Sequence, residues 1–347
     1  MCPKFTVRLN GHDLEFMNAL TIAIPTYNRA RQLSARLKEL IPQLSPEVKV
    51  VIFDNGSTDS TKMEVQPFLG PHVEWRTVGC NRGISRNFMR VFEEMDSDWM
   101  WMLSDDDPVR PDALATLLQV INSTSAGTIA FKAQGNSVAQ DGVYRTVAEF
   151  LEAHHVMNLS YISGMVFRRS AVEAGLSVLA PSAYTLLPHS MLALAALGKG
   201  HAIQTVAQEI LIPQKGEHRV SRREFLLGLA AFPEFFSDPA VRKRIARQLR
   251  ASSRWMIFSA LAQVGSAEDI ERWKAMIRVT EAAFAANGAG WWGNLLGSPW
   301  HSCGDVRREW ILPCVRVMPQ SLLRLFAVKL AKRTLQNAEL THHDASI

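Results

Sequence analysis

The sequence predicts an α/β fold with a helical C-terminal extension, and three observations predict it. Short apolar runs at 20–24, 48–53 and 99–103 each end abruptly in a polar loop. Stretches with helical spacing of apolar residues stand between such runs. From Phe225 onward the pattern is helical, rich in Ala, Leu, Arg and Trp, with β alternation only near 311–317.

Taken in order, residues 5–16 alternate around Asn10-Gly11, a dipeptide that readily takes the two positive φ angles of a tight turn, so a small hairpin is expected. The run 20–24 reads as a strand, Pro25-Thr26-Tyr27-Asn28 as its loop, and Leu33, Leu37, Leu40 and Ile41 as the buried stripe of a helix. The β-branched run 48–53 stops at Asp54-Asn55-Gly56-Ser57-Thr58-Asp59. Residues 73–78 read as a third strand and 83–95 as a helix. The strand 99–103 runs into Ser104-Asp105-Asp106-Asp107-Pro108, after which Asp112 is expected to cap a helix over 113–121. Further strands are expected at 128–132 and 163–167, and an apolar helix at 190–197, ended by Gly198-Lys199-Gly200. The organisation expected is therefore an N-terminal hairpin or extension over 1–18, an α/β domain over 19–215 and a mainly helical region over 216–347.

Strands separated by helices imply right-handed crossovers and a mostly parallel sheet, whose strand-following loops open on one edge. Ligands of open α/β sheets bind at that edge. Thr26, Asp54 and the triple aspartate are thereby expected at one site.

Composition limits the partners. Hydrophobic residues at 47% and charged residues at 20% suit a folded globular chain rather than a disordered one. Thirty-eight basic against 33 acidic residues leave a net charge of +5, too small an excess to name a polyanionic partner. Basic residues gather at 219–223, 242–254 and 324–333 with no nucleic-acid recognition motif, so no nucleic-acid partner is expected. Cys2, Cys80, Cys303 and Cys314 form no metal or redox spacing, and no leader or 18-residue apolar span is visible. A cytoplasmic location follows as an expectation.

Three adjacent carboxylates repel one another unless a cation neutralises them, and aspartate oxygens suit Mg2+ or Mn2+. A solvated acidic turn capping a helix is the plainer alternative. Asp54, at the end of another strand, can accept from a nucleobase N–H or a ribose hydroxyl, or can serve as an ordinary turn residue.

Ile24-Pro25-Thr26-Tyr27-Asn28-Arg29, Asp54-Asn55-Gly56-Ser57-Thr58-Asp59, Asn81-Arg82-Gly83 and Ser104-Asp105-Asp106-Asp107 together resemble family 2 glycosyltransferases, closely over 20–125 and loosely over 126–215. The resemblance implies a GT-A fold, a Rossmann-like, mostly parallel sheet flanked by helices, with a nucleotide-diphosphate sugar donor, Mn2+ or Mg2+, and inversion at the anomeric carbon. By position it implies donor contacts from Pro25, Thr26, Tyr27, Arg29, Asp54, Asn81, Gly83, Asp105 and Asp106, with Asp105 and Asp107 on the metal. Registers that align Asp106 in their place remain open, and Arg82 and Arg86 are further candidates for the diphosphate.

Inversion needs a base for the acceptor hydroxyl. Many relatives place an acidic pair before the helix that begins here near Ser190, whereas this chain reads Leu187-Pro188-His189-Ser190. His189 is the candidate base, with Glu209, Glu217 and His218 as alternatives. The resemblance extends to O-antigen sugar transferases, which implies a saccharide acceptor on a lipid carrier. Residues 321–336 place Leu323, Phe326, Ala327 and Leu330 on one helical face and basic residues on another, suited either to an anionic membrane surface or to the protein's own core. Trp291, Trp292 and Trp300 fit such an interface, a core or an acceptor pocket equally. The expectation is an enzyme adding one sugar in surface polysaccharide synthesis, peripheral on the inner face of the cytoplasmic membrane. A nucleotidyltransferase and a nucleotide-sugar- or glycan-binding module of the same fold without turnover are the alternatives. Asp107→Ala is expected to abolish metal-dependent donor binding and leave the fold intact.

Overall fold

The computed structural model describes residues 6–9, 12–15, 19–133, 138–213, 222–261, 276, 279–280 and 282–288. The chain divides into two compact units, Met1–His218 and Arg219–Ile347.

In the first unit, β1 (Thr6–Leu9) and β2 (His12–Glu15) pair antiparallel, with Leu9 opposite His12. The main sheet contains β3 (Leu20–Thr26), β4 (Val48–Asp54), β5 (Val73–Thr77), β6 (Trp99–Met102), β7 (Thr128–Lys132), β8 (Gly142–Tyr144), β9 (Met165–Arg168) and β10 (Ile203–Glu209). Its order is β5-β4-β3-β6-β9-β7-β10-β8. Strands β5, β4, β3 and β6 are mutually parallel, as are β7 and β10. The sheet is therefore mostly parallel, as the sequence predicts, but β9 runs antiparallel to both β6 and β7, and β8 runs antiparallel to β10. Apolar periodicity finds a strand without giving its direction, and β8 and β10 are too polar to show as apolar runs.

Helices α1 (Ala30–Leu40), α2 (Thr61–Val65), α3 (Ile84–Glu93) and α4 (Ala113–Ser123) follow strands in turn. Every residue of β3 and β6 is buried, the signature of parallel strands covered on both faces. Ala30, Leu33, Leu37 and Leu40 recur at helical spacing and bury one stripe of α1 against that sheet. Asp112 stands at the N-cap of α4 but makes no capping hydrogen bond; its carboxylate accepts from Arg110 Nε at 3.3 Å. Helices α5 (Val147–Ala153), α6 (Arg169–Gly175) and α7 (Leu179–Ser182) precede α8 (Pro188–Gly198), where Met191, Leu192, Ala193, Leu194, Ala196 and Leu197 are all buried. A helix enclosed so fully has no amphipathic stripe to read from sequence.

The second unit contains α9 (Arg222–Ala231) and α10 (Pro239–Leu261), with Leu226, Leu229, Phe232, Ile245 and Leu249 buried. Its basic residues are not all solvated, since Arg242 donates through Nε and Nη2 to the Phe236 carbonyl at 2.9 and 2.7 Å and Arg250 is buried. Among the described residues no helix is long and apolar enough to cross a membrane. The turn Asn10-Gly11, Glu217, His218, the strand expected near 311–317, the helix at 321–336, Trp291, Trp292 and Trp300, and Cys2, Cys303 and Cys314 lie outside the described residues.

Candidate active site

Strands β3 and β4 end in register, Thr26 opposite Asp54, and Asp54 is opposite Thr77 of β5. Strand β6 lies parallel beside β3, so its following loop opens on the same edge. Asn28, which adopts a positive φ of 52° that Asn tolerates better than most side chains, joins the first two loops. Its backbone N–H donates to Ser57 Oγ at 2.9 Å, and its Oδ1 accepts from the Thr58 N–H at 2.8 Å. The Arg29 N–H donates to Thr61 Oγ1 at 3.0 Å, a second stitch between the same loops.

Asp54 is 2% exposed and turned back on its own loop. Its carboxylate accepts from the Gly56 and Ser57 N–H groups at 3.2 and 3.0 Å and from Thr77 Oγ1 at 2.5 Å. Gly56 is required here: φ is 76°, and a Cβ would meet the Cys80 backbone at 2.8 Å. Asn55 completes the wall by donating to Asn81 Oδ1 at 2.8 Å and the Gly83 carbonyl at 3.2 Å, while accepting from the Arg82 N–H at 3.1 Å. Asn81 and Gly83 thus reach the edge through Asn55, a residue to which the sequence reading assigned no role. Arg82 and Arg86 are exposed at the start of α3, and Tyr27 is 37% exposed on the loop after β3.

The three aspartates divide in direction. Asp105 is buried: Oδ2 accepts from Thr26 Oγ1 at 2.7 Å and Oδ1 from Arg29 Nε at 3.0 Å. Asp106 retains 30% side-chain exposure, with Oδ2 paired to Arg29 Nη2 and Oδ1 accepting from Ser104 Oγ at 2.6 Å. Asp107 turns inward, Oδ1 accepting from Tyr161 Oη at 2.7 Å and Oδ2 from Ser163 Oγ at 2.5 Å. The Ser163 hydroxyl also accepts from the Ser104 N–H at 2.9 Å, and its carbonyl accepts from Trp101 Nε1 at 2.7 Å. Tyr161 and Ser163 were not assigned by the sequence reading, because their only sequence signal was proximity to a strand.

Burial sets the electrostatics. It pushes the Asp105 carboxyl above the ordinary aspartate value despite Arg29 and Thr26, and Asp107 likewise despite Ser163 and Tyr161. Burial and the neighbouring Asp107 charge both raise Tyr161. Burial opposes the charge on Arg29, but the Asp105 and Asp106 carboxylates outweigh it and hold Arg29 above its ordinary value.

These oxygens are the hard donors Mg2+ or Mn2+ takes. The expected pair of metal ligands, Asp105 and Asp107, is not presented as a pair: both carboxylates are turned into protein hydrogen bonds. Among the described residues no three His, Cys, Asp or Glu side chains are gathered around a common point. Asp106 is also hydrogen-bonded, to Arg29 and Ser104, but with 30% of its side chain exposed it is the one of the three that a metal ion and its phosphate and water ligands could reach. The Asp107 carboxylate ties the loop after β6 to the segment entering β9.

His189 is 2% exposed in the first turn of α8. Its Nε2 donates to the Ser160 carbonyl at 3.0 Å, its ring meets Phe88 edge-on at 6.3 Å, and its Nδ1 is buried without a partner. Burial lowers its pKa to about 4. His189 is thus enclosed in the interior, bonded through Nε2 to the backbone. Glu209 ends β10, parallel to β7 and so on the site's edge of the sheet, with its carboxylate 3.5 Å from Lys132 Nζ. The segment after it is bound to the aspartate loop, Arg110 N–H to the Ile210 carbonyl at 3.0 Å and Ile212 N–H to the Pro108 carbonyl at 2.8 Å.

Residues 21–171 match the family described as glycosyl transferase family 2. An abequosyltransferase of Salmonella typhimurium is 28% identical over 109 residues, 30% of this chain and 33% of the relative. A GalNAc(5)-diNAcBac-PP-undecaprenol beta-1,3-glucosyltransferase of Campylobacter jejuni is 25% identical over 126 residues, 35% of this chain and 41% of the relative. This chain therefore spans well under half the length of these curated relatives. The structure of TarS from S. aureus in complex with UDP-GlcNAc superimposes with a TM-score of 0.57 at 15% identity, covering 92% of each chain, a likeness of fold.

Proposed function

We propose, from the premise that residues 21–171 are a glycosyltransferase family 2 domain, that the protein transfers one sugar from a nucleoside-diphosphate sugar to a saccharide acceptor in the assembly of a bacterial surface polysaccharide. The observation that carries the reading is the convergence of Thr26, Arg29, Asp54 and Asp105 to Asp107 from three parallel strands onto one sheet edge. Relatives named for an abequosyl transfer and for an undecaprenol-linked acceptor support the substrate class, and the fold shared with a UDP-GlcNAc complex supports the donor.

Asp54 with its collar of Gly56, Ser57 and Thr77 shapes the wall at the end of β4, where donor nucleoside exchanges with turn contacts. Thr26 and Arg29 hold Asp105, and Asp106 is the carboxylate that would bind Mn2+ or Mg2+ with the diphosphate. A divalent ion there supplies charge neutralisation to a departing diphosphate. Glu209 replaces His189 as the candidate base, because it ends a strand on this edge and His189 is enclosed. An acceptor on a lipid carrier, inversion at the anomeric carbon and attachment to the inner membrane face belong to the same proposal.

The test is a thermal-shift screen against UDP-, GDP-, CDP- and dTDP-sugars, with and without Mn2+, followed by transfer assays on the stabilising donor. One nucleotide at about 100-fold over its dissociation constant should add roughly 2.7 kcal/mol of apparent stability. Stabilisation by no donor would sink the transferase reading and leave a glycan-binding module, while donor stabilisation without transfer would favour a binding module, for which the lack of an acidic pair before α8 is the motivating feature.

A further inference from the structure

Arg29 occupies a position that a donor-contact role alone does not explain. Its side chain is 10% exposed, and it bridges two neighbouring carboxylates with separate nitrogens, Nε to Asp105 at 3.0 Å and Nη2 to Asp106. The planar fork of guanidinium suits such a bridge, and lysine has no equivalent geometry. The backbone of Arg29 is fixed as well, since it precedes α1 and its N–H is bound by Thr61. Two of the three consecutive carboxylates, Asp105 and Asp106, therefore share a cation delivered from a different loop, in a place where a divalent ion would otherwise be their counter-charge.

We propose that Arg29 is the built-in counter-cation of the aspartate cluster, a positioning residue that orients Asp105 and Asp106 and competes with a divalent ion for Asp106 until a diphosphate arrives. A free divalent ion approaching Asp106 meets a guanidinium already bound to Oδ2 of that carboxylate, and like charges at that separation repel. A diphosphate reverses the balance: it offers oxygens to the ion and an alternative anion to the guanidinium, so ion, donor and Arg29 fit together where ion and Arg29 alone do not. This rests on the glycosyl-transfer reading for the identity of the diphosphate, but the competition itself is a property of the free protein.

The decisive experiment titrates Mn2+ alone into the full chain, free ion being followed by electron paramagnetic resonance, for wild type, Arg29→Gln, Arg29→Lys and Thr26→Val. Arg29→Gln should bind Mn2+ about tenfold or more tightly than wild type, a gain that no merely structural loss produces. Thr26→Val removes a neutral hydrogen bond to Asp105 and should leave Mn2+ affinity unchanged. Arg29→Lys keeps the charge and should stay within about threefold of wild type for Mn2+, while losing the two-carboxylate bridge and with it at least tenfold in kcat. Unchanged or weaker Mn2+ binding by a folded Arg29→Gln overturns the proposal. Should that variant not fold, Arg29→Lys decides: Mn2+ binding tenfold tighter than wild type, or an unaltered kcat, overturns it equally. The Mn2+ titration needs neither donor nor acceptor, so its outcome is independent of whether sugar transfer is found.

Discussion

Strand β6 has carboxylates before it and after it, and they are balanced in opposite ways. Asp96, ahead of the strand, is shared by two cations, Lys49 Nζ at 2.7 Å and Arg76 Nη2 at 3.1 Å. Burial would raise its pKa, but those cations overcome it and hold the carboxyl below the ordinary aspartate value. Beyond the strand Asp105 and Asp106 share the guanidinium of Arg29, yet burial keeps Asp105 and Asp107 above the ordinary value. At the first end cations outweigh burial and hold the carboxyl ionised; at the second burial outweighs them, which is how an electrostatically perturbed candidate site differs from a structural ion network.

The largest expected effect is on catalysis at the site end. Asp106→Asn should lower kcat/KM for transfer by about 10³-fold while moving the melting temperature little, because the carboxylate is partly exposed and replaced isosterically. If steady-state kinetics instead find near-normal transfer, Asp106 is not where the ion or the diphosphate binds.

The next effect brings in the enclosed imidazole. His189 has a folded-state pKa of about 4 against an ordinary 6.5, so its neutral form contributes stability that is complete above 6.5 and lost as pH falls toward 4. Wild type should lose roughly 3 kcal/mol through this group across that window, and His189→Leu should show a flatter profile in urea denaturation at matched pH values. A parallel profile for the two proteins would mean that the imidazole reaches water. The same variant should keep transfer within about tenfold, in contrast to the loss of 10² or more expected of a general base.

Asp107→Ala sharpens the division within the aspartate trio. It strands the Tyr161 and Ser163 hydroxyls without their acceptor and should cost about 2 kcal/mol, read as a lowered melting temperature. Unaltered stability would return Asp107 to the role of a free surface ligand. The smallest effect belongs to the balanced end: Asp96→Asn should cost about 0.5–1 kcal/mol at neutral pH. Because the folded pKa of Asp96 is depressed, that contribution is present above the ordinary aspartate range and should vanish as pH falls through the folded value. A difference from wild type that persists in acid would point to packing rather than charge.

Much of this was written along the chain. The apolar runs that become β3, β4 and β6 are continuous because parallel strands are covered on both faces, and the polar loops that follow them share an edge because parallel strands end together. Local composition thus determined that Thr26, Asp54 and the triple aspartate would meet. It also marked Gly56, whose positive φ is a local property of the Asp-Asn-Gly turn.

Only the tertiary structure decided which way each aspartate turns. The donors to Asp107 come from Tyr161 and Ser163, 54 and 56 residues away, and the cation for Asp105 and Asp106 comes from Arg29, 76 and 77 residues away. The reversed direction of β9 brings the first two, and no periodicity encodes that direction. His189 likewise reads as exposed chemistry or as packing until α8 is enclosed on every side. Sequence determines which groups reach the edge; hydrogen bonds and burial, which depend on partners from other strands, determine which of them turn inward and which stay partly exposed.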